Sequence, residues 1–203
     1  MNQTDLQLTG GAGKTKRREL DFYPTPKNIT HALMDFLYKE CDSFFDEDIH
    51  VWEPACGNGQ MVEVINSYGN RVYGTDINDY GFADPVYGNY PVDFLKQDLQ
   101  GHYDAIITNP PFDLSEQFIR TAISRARIVC MLFKSQYWHA KSRYALFNEF
   151  KPRYVLPLTW RPDFYEHLRM PGDKTPAPTM EVAWTIWTKG NNQITQYIPL
   201  LKP

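Results

Sequence analysis

The 203-residue chain has little cysteine, no long apolar run and no surplus of positive charge, and each shortage excludes something. Cys41, Cys56 and Cys130 stand far apart, with no CxxC pair and no histidine cluster beside them, which speaks against a disulfide scaffold or a zinc knuckle. A reduced, metal-free protein is expected. No apolar stretch approaches the roughly eighteen residues of a membrane helix. Residues 1–20 carry no hydrophobic signal core, so a soluble, unexported, cytoplasmic protein without membrane attachment is expected. The net charge of −3 argues against a general polyanion binder. What is present is an apolar fraction of 42%, enough for one domain with a sizeable core.

The charge is unevenly spread. Residues 21–132 hold seven bases against seventeen acids, whereas 133–174 hold eight bases against four acids, and residues 1–20 four against two. Such asymmetry suits a cationic small ligand at one site and a polyanion at another. Within 1–20, Gly10-Gly11-Ala12-Gly13-Lys14-Thr15 invites a phosphate-loop reading, but Leu8 stands where the first glycine is required and no strand precedes it. A flexible basic arm over 1–20 is expected instead, followed by one domain over 21–203.

From residue 27 onward, helical and strand periods alternate. Ile29, Ala32, Leu33, Phe36, Leu37 and Cys41 predict a helix over 27–40, with Thr25 as N-cap and Pro26 at the first helical position. Strands are expected near 50–53, 71–75, 105–108, 128–133, 154–158 and 181–188, and further helices near 60–67, 115–125 and 142–150. This order predicts an α/β Rossmann-like domain, a mostly parallel seven-stranded sheet with the last strand antiparallel and helices on both faces. Residues 161–179 hold four prolines and no period, and read as a loop insertion.

Ligands of such sheets bind just outside the C-terminal strand ends. The turn in Glu53-Pro54-Ala55-Cys56-Gly57-Asn58-Gly59 follows one strand directly, and its bare glycines allow close approach of a ligand. Dinucleotide sites carry a third glycine where Val62 stands here, so a ligand without a pyrophosphate fits better. Asp76 closes the next strand, where a carboxylate can accept from two ribose hydroxyls. Asn109-Pro110-Pro111-Phe112 ends the strand near 105–108. Its prolines lack amide donors and leave carbonyls and the Asn109 amide facing the cleft, a pocket suited to accepting both hydrogens of a planar amino group.

These motifs, in this order, resemble the class I S-adenosylmethionine-dependent methyltransferases, and within them the small N6-adenine DNA methyltransferases with an NPPF motif. The resemblance runs from about Asp21 to Phe112 and is weaker beyond. It implies S-adenosyl-L-methionine as cofactor, contacted by Tyr23, Pro24, Thr25, Glu53, Pro54, Ala55, Gly57, Gly59, Asp76, Ile77, Asp93, Phe94 and Asn109. It implies Asn109, Pro110, Pro111 and Phe112 as the catalytic set, with Phe112 stacking on a flipped-out adenine, and no metal. DNA is the expected partner, with RNA as the alternative polymer, in a bacterial cell or a phage-infected host. A monomer or weak dimer is expected. The same tetrad could serve RNA adenine or a protein glutamine amide, and a non-catalytic cofactor-binding module is the remaining alternative. No large recognition domain fits in this length, so sequence specificity falls to the 161–179 insertion or is low.

Overall fold

The computed structural model describes residues 23–41, 49–82, 91–96, 103–166, 177–190 and 194–203. The arm expected over 1–20 lies outside the described residues, as do 167–176 of the expected insertion.

Among the described residues seven strands and four helices follow one another: α1 (Lys27–Glu40), β1 (His50–Glu53), α2 (Gln60–Ser67), β2 (Arg71–Gly74), β3 (Tyr103–Thr108), α3 (Ser115–Arg125), β4 (Ala126–Lys134), α4 (Tyr144–Glu149), β5 (Tyr154–Pro157), β6 (Val182–Thr188) and β7 (Gln196–Tyr197). They form one sheet in the order β2-β1-β3-β4-β6-β5-β7. β6 alone runs against its neighbours, antiparallel to both β4 and β5. The central strands are buried on both faces, which explains why β4 and β6 read as unbroken apolar runs rather than as alternation.

Two cores flank the sheet. On one side Ile29, Leu33 and Leu37 of α1 and Met61, Val62 and Ile65 of α2 pack with Val51, Ile107 and Trp184. On the other, Phe118, Ile119 and Ala122 of α3 and Leu146 of α4 pack with Trp52, Ile106, Phe133 and Trp187. Trp184 Nε1 donates to the Ile29 carbonyl at 3.1 Å and ties β6 to α1 through an otherwise apolar layer. Among the described residues no helix is long and apolar enough to cross a membrane.

Three local expectations need correction. Thr25 does not cap α1: Pro26 is the N-cap and no side chain bonds the first turn, because the Thr25 hydroxyl is engaged elsewhere. The helix expected over 142–150 is a six-residue α4 preceded by two 3₁₀ turns, Ser135–His139 and Lys141–Arg143. The edge strand β7 gave no periodic signal, since its two residues are both exposed.

Candidate active site

One cleft of about 630 Å³ opens at the C-terminal ends of β1, β2, β3 and β4. Its floor is the turn after β1. Gly57 has φ +55° and Gly59 φ +83°, left-handed conformations that side chains rarely adopt. Gly59 starts α2, and a Cβ there would lie 2.3 Å from the Phe82 ring. It is therefore set back behind the cleft, whereas Gly57 lines it directly.

Asp76 follows β2 and turns back toward this floor. Its Oδ2 accepts the Gly57 amide at 3.0 Å and its Oδ1 accepts the Asn78 amide at 2.9 Å. Each carboxylate oxygen can accept a second hydrogen bond, so two hydroxyl donors can still be received. Burial pushes the Asp76 carboxyl upward, opposed by the Asn78, Gly57 and Ile77 amides. Beside it Ile77 is 56% exposed, an apolar side chain held at the rim of a cleft where a flat ring could cover it.

Glu53 is more deeply placed. It is buried at the end of β1 and accepts the Ala55 amide on Oε1 at 3.1 Å. Burial raises its pKa to about 8, against the Thr108 hydroxyl and Ala55 amide, which lower it, and with the Asp76 charge adding to the rise. The folded chain thus keeps a proton that an unfolded chain would release, and stability falls as pH rises from about 4.5 towards 8. Glu53→Gln should remove most of that fall, on the order of a few kcal/mol, in denaturant titrations between pH 5.5 and 8. Equal pH slopes for the two proteins would contradict this account.

Asp93 and Phe94 line a third wall. Asp93 closes a turn, accepting the Leu95 amide at 3.1 Å and pairing with Lys96 at 2.9 Å, contacts that lower its pKa, the Lys96 hydrogen bond most. Phe94 is only 2% exposed. Its ring packs on Trp52 and Phe118, with the Arg125 guanidinium 5.0 Å from its centroid, so it is a core aromatic whose edge reaches the cleft.

The opposite end of the cleft is built by Asn109-Pro110-Pro111-Phe112, directly after β3. Asn109 Nδ2 donates to Thr25 Oγ1 at 3.0 Å, across 84 residues of sequence. That bond fixes the amide orientation and leaves Oδ1 as the acceptor turned away from Thr25. The Pro111 carbonyl accepts the Leu114 amide at 2.9 Å, whereas no backbone amide among the described residues bonds the Pro110 carbonyl. Asn109 Oδ1 and Pro110 O are thus two acceptors without a partner among the described residues, on residues that line the cleft with the half-buried Phe112. Tyr23, Pro24 and Thr25 complete the wall, with Tyr23 edge-on to Tyr165 at 5.8 Å.

All the residues expected to bind or react, except Gly59, therefore line a single cleft. No family model and no curated protein sequence matches the chain. Solved structures do. A methyltransferase subunit of a type I restriction-modification system from Streptococcus thermophilus superposes with a TM-score of 0.64 at 11% identity, over 87% of this chain and 47% of the subunit. A candidate RNA methyltransferase from Pyrococcus horikoshii gives 0.63 at 16% identity, over 83% and 87%. Magnesium protoporphyrin IX methyltransferase from Synechocystis, solved with bound S-adenosylmethionine, gives 0.53 at 18% identity, over 80% and 79%. The chain has a methyltransferase fold. It spans about half the length of the restriction-modification subunit.

Within this methyltransferase fold, sequence reasoning missed several cleft residues. Phe164, Met180 and Lys134 line the cleft, as do Asn58, Gln60 and Met61 of the floor turn and α2. Phe164 and Tyr165 arrive through a turn in which Asp163 accepts the Tyr165 amide at 3.1 Å. The Pro162-Asp163 pair signals that turn in the sequence, but nothing local shows which cleft it enters.

Proposed function

We propose that the chain is an S-adenosylmethionine-dependent methyltransferase acting on N6 of adenine in DNA. The observation that carries this reading is the pair of acceptors without a partner among the described residues, Asn109 Oδ1 and Pro110 O, on residues that line the same cleft as Asp76 and Asp93. The donor set suits the cofactor. Asp76 can accept from ribose hydroxyls, Ile77 offers an apolar face, Gly57 leaves room at the floor, and Asp76 and Asp93 favour a ligand of net positive charge. When bound, the cofactor supplies an electrophilic methyl group on a sulfonium.

The protein's own contribution is positional and electrostatic. Asn109 Oδ1 and Pro110 O accept the two hydrogens of the exocyclic amine, which favours a more tetrahedral nitrogen and turns its lone pair out of the ring plane. Neither acceptor is ionisable, so the amine is held without losing its proton beforehand. Phe112 supplies a flat surface for the base, offsetting part of the cost of flipping it out of a duplex. DNA is favoured over a protein substrate by the basic stretch from residue 133 onward, and a restriction-modification subunit is among the structural neighbours.

Thr25 acts as a positioning residue for Asn109. Thr25→Val should lower kcat about tenfold, the scale of one lost hydrogen bond at a reacting centre, while Thr25→Ser keeps it near wild type. A drop in kcat that serine does not rescue would assign Thr25 to packing alone.

The deciding experiment incubates the full chain with methyl-labelled cofactor and separate DNA, RNA and protein pools, followed by nucleoside mass spectrometry of whichever pool is labelled. N6-methyl-2′-deoxyadenosine in DNA hydrolysate is the expected product. Label confined to RNA or to glutamine would move the acceptor while keeping the chemistry, and no label in any pool would leave a cofactor-binding module.

A further inference from the structure

The cleft is electrostatically one-sided. Asp76, Asp93 and Asp113 line it, and Lys134 is the single cation among its described lining residues. Lys134 ends β4, half-buried, with its ammonium 4.7 Å from the centroid of the Phe112 ring. No carboxylate among the described residues pairs with it. An aromatic face is a weaker partner for an ammonium than a phosphate would be, so the contact is readily exchanged.

The chain beyond Lys134 has the same character. Residues 134–148 contain no Asp or Glu and carry Lys141 and Arg143 as well. The Arg143 guanidinium lies 3.5 Å from the centroid of the Tyr137 ring. Lys141 is exposed and Arg143 half-buried, in a stretch with no acid to neutralise them. The acids on the neighbouring elements, Glu116 of α3 and Glu149 of α4, are both bonded by Arg120, at 3.0 and 2.7 Å. The strip is thus cationic and without acids of its own, the complement of a phosphodiester backbone.

We propose that residues 134–148 form the track for a nucleic-acid strand, and that Lys134 leaves the Phe112 face to hold the phosphate of the nucleotide whose base takes that face. The inference rests on the methyl-transfer reading in placing an acceptor base at Phe112. It adds the residue that links base entry to backbone binding. Lys134 lies over the face that the base would take. A strand offers both halves of the exchange, an anion for the ammonium and a planar base for the ring, whereas an acidic peptide offers only the first.

The test measures binding of fluorescent oligonucleotides of about a dozen nucleotides to the full chain by anisotropy, over about 50 to 200 mM KCl, with DNA and RNA of the same sequence. Lys134→Met is compared with Lys39→Met, which removes an equal charge from the exposed end of α1. Lys134→Met should weaken binding about five- to tenfold at the lowest salt and reduce the log-log salt slope by about 0.7 for a single strand, with Lys39→Met near wild type. Wild-type affinity and slope for Lys134→Met would overturn the proposal. So would an acidic peptide bound as tightly as the strand, or an effect of Lys134→Met seen only in the KM for S-adenosylmethionine. Strand binding through Lys134 with no methyl transferred would support the track and sink the methyltransferase reading instead.

Discussion

Asn109→Ala should abolish turnover while leaving cofactor binding close to wild type. In the proposed reaction the side chain provides one of the two acceptors for the amine, and removing a preorganised acceptor or donor at a reacting centre costs about a hundred- to a thousandfold in kcat. One further loss follows here: the Thr25 hydroxyl loses its donor. The cofactor end, by contrast, is built by Gly57, Asp76 and Ile77 in the turns after β1 and β2, which do not rely on the Asn109 side chain. The expected pair of results is therefore a kcat below detection and a calorimetric Kd for S-adenosylmethionine within about threefold of wild type, a change of under 1 kcal/mol. Full turnover by Asn109→Ala would show that the tetrad is not the reaction site.

Asp76→Ala should give the reverse division. Two charge-assisted hydrogen bonds to ribose hydroxyls would be lost, and hydrogen bonds to a charged group contribute about 1.5–3 kcal/mol each. The Gly57 and Asn78 amides would lose their acceptors at the same time, so the floor of the cleft also loses its brace. Binding should weaken by at least about tenfold, and turnover at saturating cofactor should recover much of its wild-type value. Asp76→Asn separates charge from geometry, since its one carbonyl oxygen can still accept from an amide or a hydroxyl. A Kd for Asp76→Ala equal to wild type would remove this residue from the cofactor site.

The elements that bury a strongly periodic face were legible in the sequence. The helices over 27–40, 60–67 and 115–125 and the strand over 50–53 coincide with α1, α2, α3 and β1, because each carries its own apolar repeat or buried run. The places that resisted reading lack such a signal. β7 exposes both residues, and α4 keeps only Leu146 buried, with the turns before it shaped by the packing of Arg143 and Trp138 on Tyr137 and Phe147.

The site divides in the same way. Asn109 directly follows β3 and Gly57 and Asp76 lie in the turns just after β1 and β2, so the cleft they line was foreseeable from the strand ends, where such sheets bind ligands. Thr25 was read as a cap because Thr-Pro before a helical period is a strong local pattern, yet a partner 84 residues away took its hydroxyl. Phe94 looked like a ligand-facing aromatic, and three-dimensional packing puts its ring among Trp52 and Phe118. Lys134 was one cation of a basic stretch, and only the convergence of β3 and β4 sets it on Phe112.

The Thr25–Asn109 bond also bears on the order in which the protein acquires its abilities during folding. The floor turn and Asp76 lie within 24 residues of each other and can come together with β1, α2 and β2 alone, whereas the reacting end waits for a contact spanning 84 residues. Closing a long loop comes late and slowly compared with local pairing. A chain caught part-way would hold the methyl donor's half of the cleft without the geometry to use it, so a reactive electrophile is matched with an acceptor seat only once the whole sheet has closed.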